Sequence, residues 1–351
     1  NIFNDRDLNN PDRSWFFDRI NIKPAWGITT GKKDIIVAII DDGFDLNHDE
    51  INDNIRNKWN VNNQNNIVFS SNHLSHGTHV AGTAIAEKNN KIGVCGIAPD
   101  CSFMPIQIGV EGSQYLSSTS IIDGILYAIN HDADVINLSL ATKYQPYDSV
   151  RFHDMSPNDY ENYIRNNGKD QEEFWEELFQ IANDANVTIV FAAGNQDVLI
   201  GISPKNRMKN SIITVSAVDR NNKKASFSNH GKDHSTISAP GVDIYSCVPG
   251  GRFDSWQGTS MAAPIITGVV ALMKSVNPDL TNKEIIKILQ ETGKDIDVSI
   301  GPLVQVDKAL KACGGTENLE NNNEEERRRI EKEIKKKRDE IKELEEKLED
   351  L

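Results

Sequence analysis

Cysteine is scarce in this 351-residue chain: Cys95, Cys101, Cys247 and Cys313 are all there are. Four are too few for a disulfide scaffold. Free buried thiols are the expectation, with a Cys95–Cys101 pair as the alternative if the protein is secreted. Positive charge is in deficit as well. Thirty-eight Lys and Arg stand against 52 Asp and Glu, a formal net charge of −14. Affinity for nucleic acid comes from neutralising phosphates, so DNA and RNA are poor partners, and neutral or basic peptides are tolerated better. Long apolar runs are also missing. A bilayer span takes about 18 apolar residues, and the longest run, 261–273, is interrupted by Pro264 and Gly268. No membrane span is expected. The chain starts at Asn1 and not Met, which reads as an upstream segment removed by processing or in preparing the chain and by itself says nothing about secretion; secretion after removal of a leader is slightly favoured over a cytoplasmic location.

What the sequence does have is strand–helix alternation. Apolar, β-branched runs recur at 34–40 (DIIVAII), 101–108, 134–140, 187–193 and 211–218, the pattern of strands covered on both faces. Helical patterns lie between them at 79–87, 119–130 and 174–185, and another follows at 281–291, where Thr281 and Glu284 form a capping box. This alternation predicts an α/β fold, a doubly wound, mostly parallel sheet flanked by helices. Ligands in such sheets bind beyond the C-terminal strand ends. Residues 1–32, anchored by Trp15, Phe16, Phe17 and Trp26, read as an arm packed on a domain spanning 33–312. A linker follows at 313–323. In 324–351, apolar residues from Ile330 to Leu351 recur at spacings of three and four, which predicts a coiled-coil-like helix and, through it, a homo-oligomer or a partner helix.

Three polar residues stand at element ends. Asp41 closes the first strand, His76 opens a helix of small residues, and Ser260 opens the apolar helix that follows WQG. Taken singly, each has a plainer role as a turn carboxylate, an interior polar group or an N-cap. Together, on one sheet, they make an orienter, a base and a nucleophile. The free N–H groups and dipole at the start of the Ser260 helix favour a developing oxyanion. Pro264, placed in or near the first turn, costs that helix little. Asn195, after Gly194 at the end of VFAAGN, supplies a side-chain amide that can donate to the same oxyanion. A metal role for His76 and His79 is disfavoured, because no third zinc-type ligand lies nearby; His79 reads as an interior residue.

The segments AIIDDGFDLNHDEI, SHGTHVAGTAIAEKNNKIGVCGIAP, VINLSL, IVFAAGN, ISAPGV and GTSMAAPIITGVVALM, spread over roughly 20–312, resemble the subtilase family of serine proteases. The Asp41-Asp42-Gly43 form is similar to the kexin branch, and the loop after the His76 helix is similar to the bacterial subtilisins. The resemblance implies a serine endopeptidase acting on protein or peptide substrates. Asp41, His76 and Ser260 would form its triad, with an acyl-enzyme intermediate and Asn195 in the oxyanion hole. The alternative is a catalytically idle scaffold that binds peptides or assembles through its tail. The resemblance further implies an extended substrate paired with Ser139-Leu140-Ala141, beside Gly194, and with a second edge at Gly112-Ser113-Gln114. It implies structural calcium held by Glu50, Asn90 and the carbonyls of Lys88, Ile92 and Val94, with Asp7 or a neighbour completing the set. Residues 143–175 look like an insertion relative to short subtilisins. Its excess of acidic residues is expected to favour a basic residue in the substrate.

Overall fold

The computed structural model describes residues 3–113 and 116–315; the coiled-coil-like segment 324–351 and most of the 313–323 linker lie outside them. The strands are β1 (Ile36–Asp41), β2 (Trp59–Asn60), β3 (Ser102–Gln107), β4 (Val135–Leu138), β5 (Thr188–Ala192), β6 (Ile213–Val218), β7 (Ile237–Pro240), β8 (Ile244–Val248) and β9 (Arg252–Trp256). The helices are α1 (Pro11–Arg19), α2 (Ile22–Trp26), α3 (His76–Ile85), α4 (Ser118–Asn130), α5 (Pro146–His153), α6 (Pro157–Asn166), α7 (Lys169–Asp184), α8 (Thr259–Val276), α9 (Asn282–Thr292) and α10 (Val306–Ala312). Strands β1 to β7 form one sheet in the order β2-β3-β1-β4-β5-β6-β7, every pair parallel. β8 and β9 form a separate antiparallel hairpin.

Strand periodicity decides which side chains meet which helices. In β1, Ile36, Ala38 and Ile40 face the layer of α4 and α7, while Val37 and Ile39 face the layer of α3 and α8. Side chains alternate along a strand, so Asp41 falls on the α3/α8 side. The same alternation puts Asn137 and then Ser139, just past the end of β4, on that side. The chain leaves β1 toward β2 and β3 and then returns to β4 on the other flank of β1. Asp41 and Ser139 therefore sit at the point where the winding reverses, the place where ligands bind in open α/β sheets.

Helix α3 begins at His76, as the sequence reading has it, three residues before the apolar pattern at 79–87, because Asp42 supplies acceptors for its first N–H groups. Two details differ from the sequence expectation. Pro264 is the sixth residue of α8, inside the helix and not in its first turn. Finally, α8 is long and apolar enough to cross a membrane by length and composition, yet 89% of it is buried within the protein. It packs against α3 and strands β4 to β7, so its apolarity belongs to the core and no membrane role is drawn from it. The four cysteines are free and buried. Residues 143–175 contribute α5, α6 and the start of α7, with a small core of their own in which Phe152, Tyr144 and Tyr163 pack with Val198 and Ile202.

Helix α8 packs closely against the segment that follows α3. A Cβ placed on Gly268 would lie 2.5 Å from Cβ and 2.8 Å from Cγ2 of the fully buried Ile97. Neither atom can swing away, and overpacking of this kind costs about 1–3 kcal/mol. Gly268→Ala is expected to lower the urea midpoint by the corresponding amount with an unchanged m-value. An unchanged midpoint would show that α8 and the Ile97 segment can part without cost.

Candidate active site

Asp41 and Asp42 are adjacent, and their carboxylates do different things. Asp41, fully buried, accepts from His76 Nδ1 at 2.8 Å through Oδ1, and its Oδ2 is buried without a partner among the described residues. Asp42 accepts the backbone N–H groups of Ser75 (3.0 Å), His76 (3.1 Å) and Gly77 (2.9 Å), and that of Gly43. It caps α3 in place of Ser75, which makes no side-chain cap. This satisfies donors that a helix start otherwise leaves open. It also fixes the turn that carries the His76 ring. Nothing in the sequence marked Asp42 for this task, because an N-cap is normally sought next to its helix and not 34 residues away.

Burial by itself would lower the pKa of His76. The charge and hydrogen bond of Asp41, with the charge of Asp42, outweigh it and push the ring up to about 9. The side chain is 31% exposed, so solvent screens part of that rise. For Asp42, burial and the Asp41 charge raise the carboxyl to about 6 against the pull of His76 and the backbone donors. His79 is a core residue, as expected. Its Nε2 meets the Ile244 carbonyl, its ring stacks on Trp256 at 4.6 Å, and burial together with the His76 charge lowers it to about 3.

His76, Asn195, Trp256, Ser260 and Met261 line one cavity of about 460 Å³. The Ser260 hydroxyl donates to the Ser139 carbonyl at 3.1 Å and not to His76. In return the Ser139 hydroxyl donates to the Ser260 carbonyl at 2.8 Å. Pro264 explains why that carbonyl is available: within a helix it would accept from the N–H four residues on, and proline has none. The Ser139 hydroxyl also accepts from Asn137 Nδ2, and Asn137 Oδ1 accepts from Thr267 on α8. A polar relay thus runs beneath Ser260.

Asn195 is oriented by Thr259. Its Oδ1 accepts from the Thr259 N–H (2.8 Å) and hydroxyl (2.9 Å). A backbone N–H can only donate, so the oxygen faces Thr259 and Nδ2 is the free end. At the α8 start, Gly258 has φ 150° and ψ 162°, a region essentially restricted to glycine. A Cβ there would lie 3.4 Å from Asn195 Nδ2. The Ser260 N–H has no acceptor among the described residues.

The other candidate residues fall in three places. Ala141 packs toward Gly194, where an added Cβ would meet the Ala141 Cβ at 3.3 Å, and Leu140 is half-buried against the second core. Gly112 lies in an exposed turn past β3, with nothing within 4 Å of its Cβ position. It is therefore not in a strand, and Gln114 lies outside the described residues. Glu50 and Asn90 meet, with Asn90 Nδ2 donating to Glu50 Oε2 at 3.2 Å. The residue that joins them is Asp5, whose Oδ1 accepts from the Asn90 N–H. Asp7, expected in that role, is held by Arg6, Arg13 and the Tyr245 hydroxyl. The Lys88 side chain turns to Asp100 and Thr30, which leaves only its carbonyl for the site, with those of Ile92 and Val94.

The chain is similar to known proteases. It is 33% identical over 274 residues to a thermophilic serine proteinase of Bacillus sp. (strain AK1), covering 78% of this chain and 59% of that protein. It is 34% identical over 263 residues to subtilisin E of Bacillus subtilis (strain 168), covering 73% and 59%. The chain thus spans about three fifths of the length of these relatives. The solved structure of a protease from Pseudoalteromonas arctica matches with a TM-score of 0.68 at 25% identity, over 89% of this chain and 100% of that one. The family model described as the subtilase family matches residues 32–326, and the chain belongs to that family.

Proposed function

We propose that the protein is a serine endopeptidase with Ser260 as nucleophile, His76 as general base and Asp41 as orienter. The observation that carries this reading is the shared cavity, where the Asp41-bound imidazole, the Ser260 hydroxyl, the free Ser260 N–H and Asn195 Nδ2 converge. A change of staggered rotamer takes the Ser260 hydroxyl from the Ser139 carbonyl toward His76. His76 accepts the hydroxyl proton as the oxygen attacks the scissile carbonyl, and Asp41 stabilises the imidazolium. The Ser260 N–H and Asn195 Nδ2 donate to the oxyanion; removal of such a side-chain donor slows a subtilisin about 10²–10³-fold. The imidazolium then gives its proton to the leaving amine, and water resolves the acyl-enzyme by the reverse route. The substrate is a protein or peptide laid against Ser139-Leu140-Ala141. A fluorophosphonate probe should label the native chain and leave Ser260→Ala unlabelled. Absence of labelling in the native chain favours the idle peptide-binding scaffold.

The pH dependence follows from the carboxylates. The base must be neutral, so kcat/KM falls as pH drops through the His76 pKa. Asp41 and Asp42 raise that pKa, and partial exposure screens the rise. The midpoint of the acid limb is expected above the ordinary histidine value of 6.5, short of about 9. Asp42→Asn, which removes one negative charge, should move it to lower pH. A native midpoint at or below 6.5, read from a pH–rate profile, would contradict this.

We also infer a structural calcium site at Asp5, Glu50, Asn90 and the carbonyls of Lys88, Ile92 and Val94. The donors are all oxygens, as a hard cation requires. Glu50 Oε1 and Asp5 Oδ2 are buried with no partner among the described residues. Burial raises Glu50 to about 9, with the charge of Asp5 adding to it, and a dication relieves that burden. In the loop, Asn89, Lys91 and Gly93 take positive φ in alternation, strained for the first two and held only because the surroundings require it. A bound ion at 100 times its Kd adds about 2.7 kcal/mol. Chelator should therefore lower the Tm by several degrees, and Glu50→Gln should reduce that response. A Tm indifferent to chelator removes the site.

A further inference from the structure

A second cavity, about 740 Å³, opens beside Thr142 between α4, the start of α7 and residues 202–207. Its walls are largely aromatic, with Tyr144, Tyr163, Phe174 and Trp175. Its buried end is cationic. The Arg207 side chain is 3% exposed. Its Nε donates to the Gly201 carbonyl, and its Nη1 donates to the carbonyls of Asn167 and Ile164 and to Glu172 Oε2 at 2.9 Å. Its Nη2 is buried and has no partner among the described residues. A buried donor on a charged group is costly to leave open.

The same spot is the start of a sixteen-residue helix. Gly168, the N-cap of α7, has φ 76° and makes no side-chain cap. The first N–H of α7 with an acceptor is that of Glu172, on the Gly168 carbonyl; those of Lys169, Asp170 and Gln171 have none among the described residues. A Cβ on Gly168 would lie 3.8 Å from Arg207 Nη2, so the open guanidinium nitrogen and the open helix terminus adjoin. Both favour an anion. Lys205 lines the cavity, with its amine 5.1 Å from the Phe191 ring centre and no ion-pair partner among the described residues. Burial lowers its pKa to about 8. The opposing charges are Asp170, exposed in the first turn of α7, and Glu172, already committed to Arg207 Nη1.

We propose that this cavity binds a carboxylate, the side chain of an acidic substrate residue a few positions N-terminal to the scissile bond. The position rests on the peptidase reading. Ser139 touches Ser260 and Thr142 lines the cavity; three residues of extended chain span at most about 10 Å, which a peptide covers in about three residues. The charge preference is opposite to the one implied by the acid count of 143–175.

Calorimetry on the full-length Ser260→Ala chain, with peptides differing only by Glu or Gln four residues before the scissile bond, tests the site without cleavage. The Glu peptide should bind about ten-fold tighter. Lys205→Met and Arg207→Lys should each bring the ratio toward one, and Asp170→Asn should raise it. Sulfate should compete with the Glu peptide more than with the Gln peptide. Equal binding of the two peptides overturns the proposal, and so does sulfate binding in the cavity with no Glu preference, which would assign it to a free anion. A Glu preference in binding with no cleavage by the native chain would sustain the cavity and defeat the peptidase reading.

Discussion

The site depends on one constraint: two consecutive carboxylates at the end of β1, one buried and one half-buried, are given separate partners. Asp41 is the last residue of β1, and Asp42 lies just past it, free of the strand's alternation. Asp41 therefore follows the α3/α8 face to the His76 ring, and Asp42 turns to the first backbone N–H groups of α3. One residue orients the imidazole and the next sets the origin of the helix that carries it. The arrangement concentrates negative charge beside a ring that must gain a proton during the proposed reaction. Burial alone would oppose that gain; the pair reverses the sign.

The second half of the site is tied to the first through the sheet. Ser139 and Ser260 exchange hydroxyl–carbonyl bonds, and Asn137 connects them to Thr267 one helical stretch further along α8. An Asn within a fully buried strand is costly unless its amide is satisfied, and here both its nitrogen and its oxygen are. The relay holds the end of β4 against the start of α8. Pro264 takes part by what it lacks, since the carbonyl it cannot bond becomes the acceptor for Ser139. A proline that sequence reasoning treats as tolerated is a means of freeing a polar group at the site.

Much of this was legible in the residues. The apolar β-branched runs at 34–40, 134–140 and 187–193 read as parallel strands, and polar residues at the strand and helix ends marked the rim. The small-residue helices at His76 and Ser260 were visible for the same reason: close helix packing selects Gly and Ala. What escaped was tertiary. The cap of α3 comes from Asp42, whose identity as a cap depends on folding. Asp5 rather than Asp7 joins the Glu50–Asn90 pair, through the Asn90 N–H, because two arginines and a tyrosine claim Asp7, and sequence position alone cannot rank two acidic residues separated by one. The hairpin β8–β9 was missed because its outer strand has only exposed and half-buried positions, without an apolar run.

The segment 143–175 has a closer connection to the chemistry than a tolerated surface insertion would have. Gln196 follows Asn195 directly, and its side-chain amide pairs with the Tyr144 backbone as another strand would: Oε1 accepts from the Tyr144 N–H at 2.7 Å, and Nε2 donates to the Tyr144 carbonyl at 2.9 Å. Nε2 also reaches the Ser149 hydroxyl in α5. On the other side of the same turn, the Gln196 N–H is held by Asn229. The residue proposed to donate to the oxyanion is thus flanked by one that clamps the inserted helices to the core. The Asn195 turn and the start of α5 are thereby joined through adjacent residues.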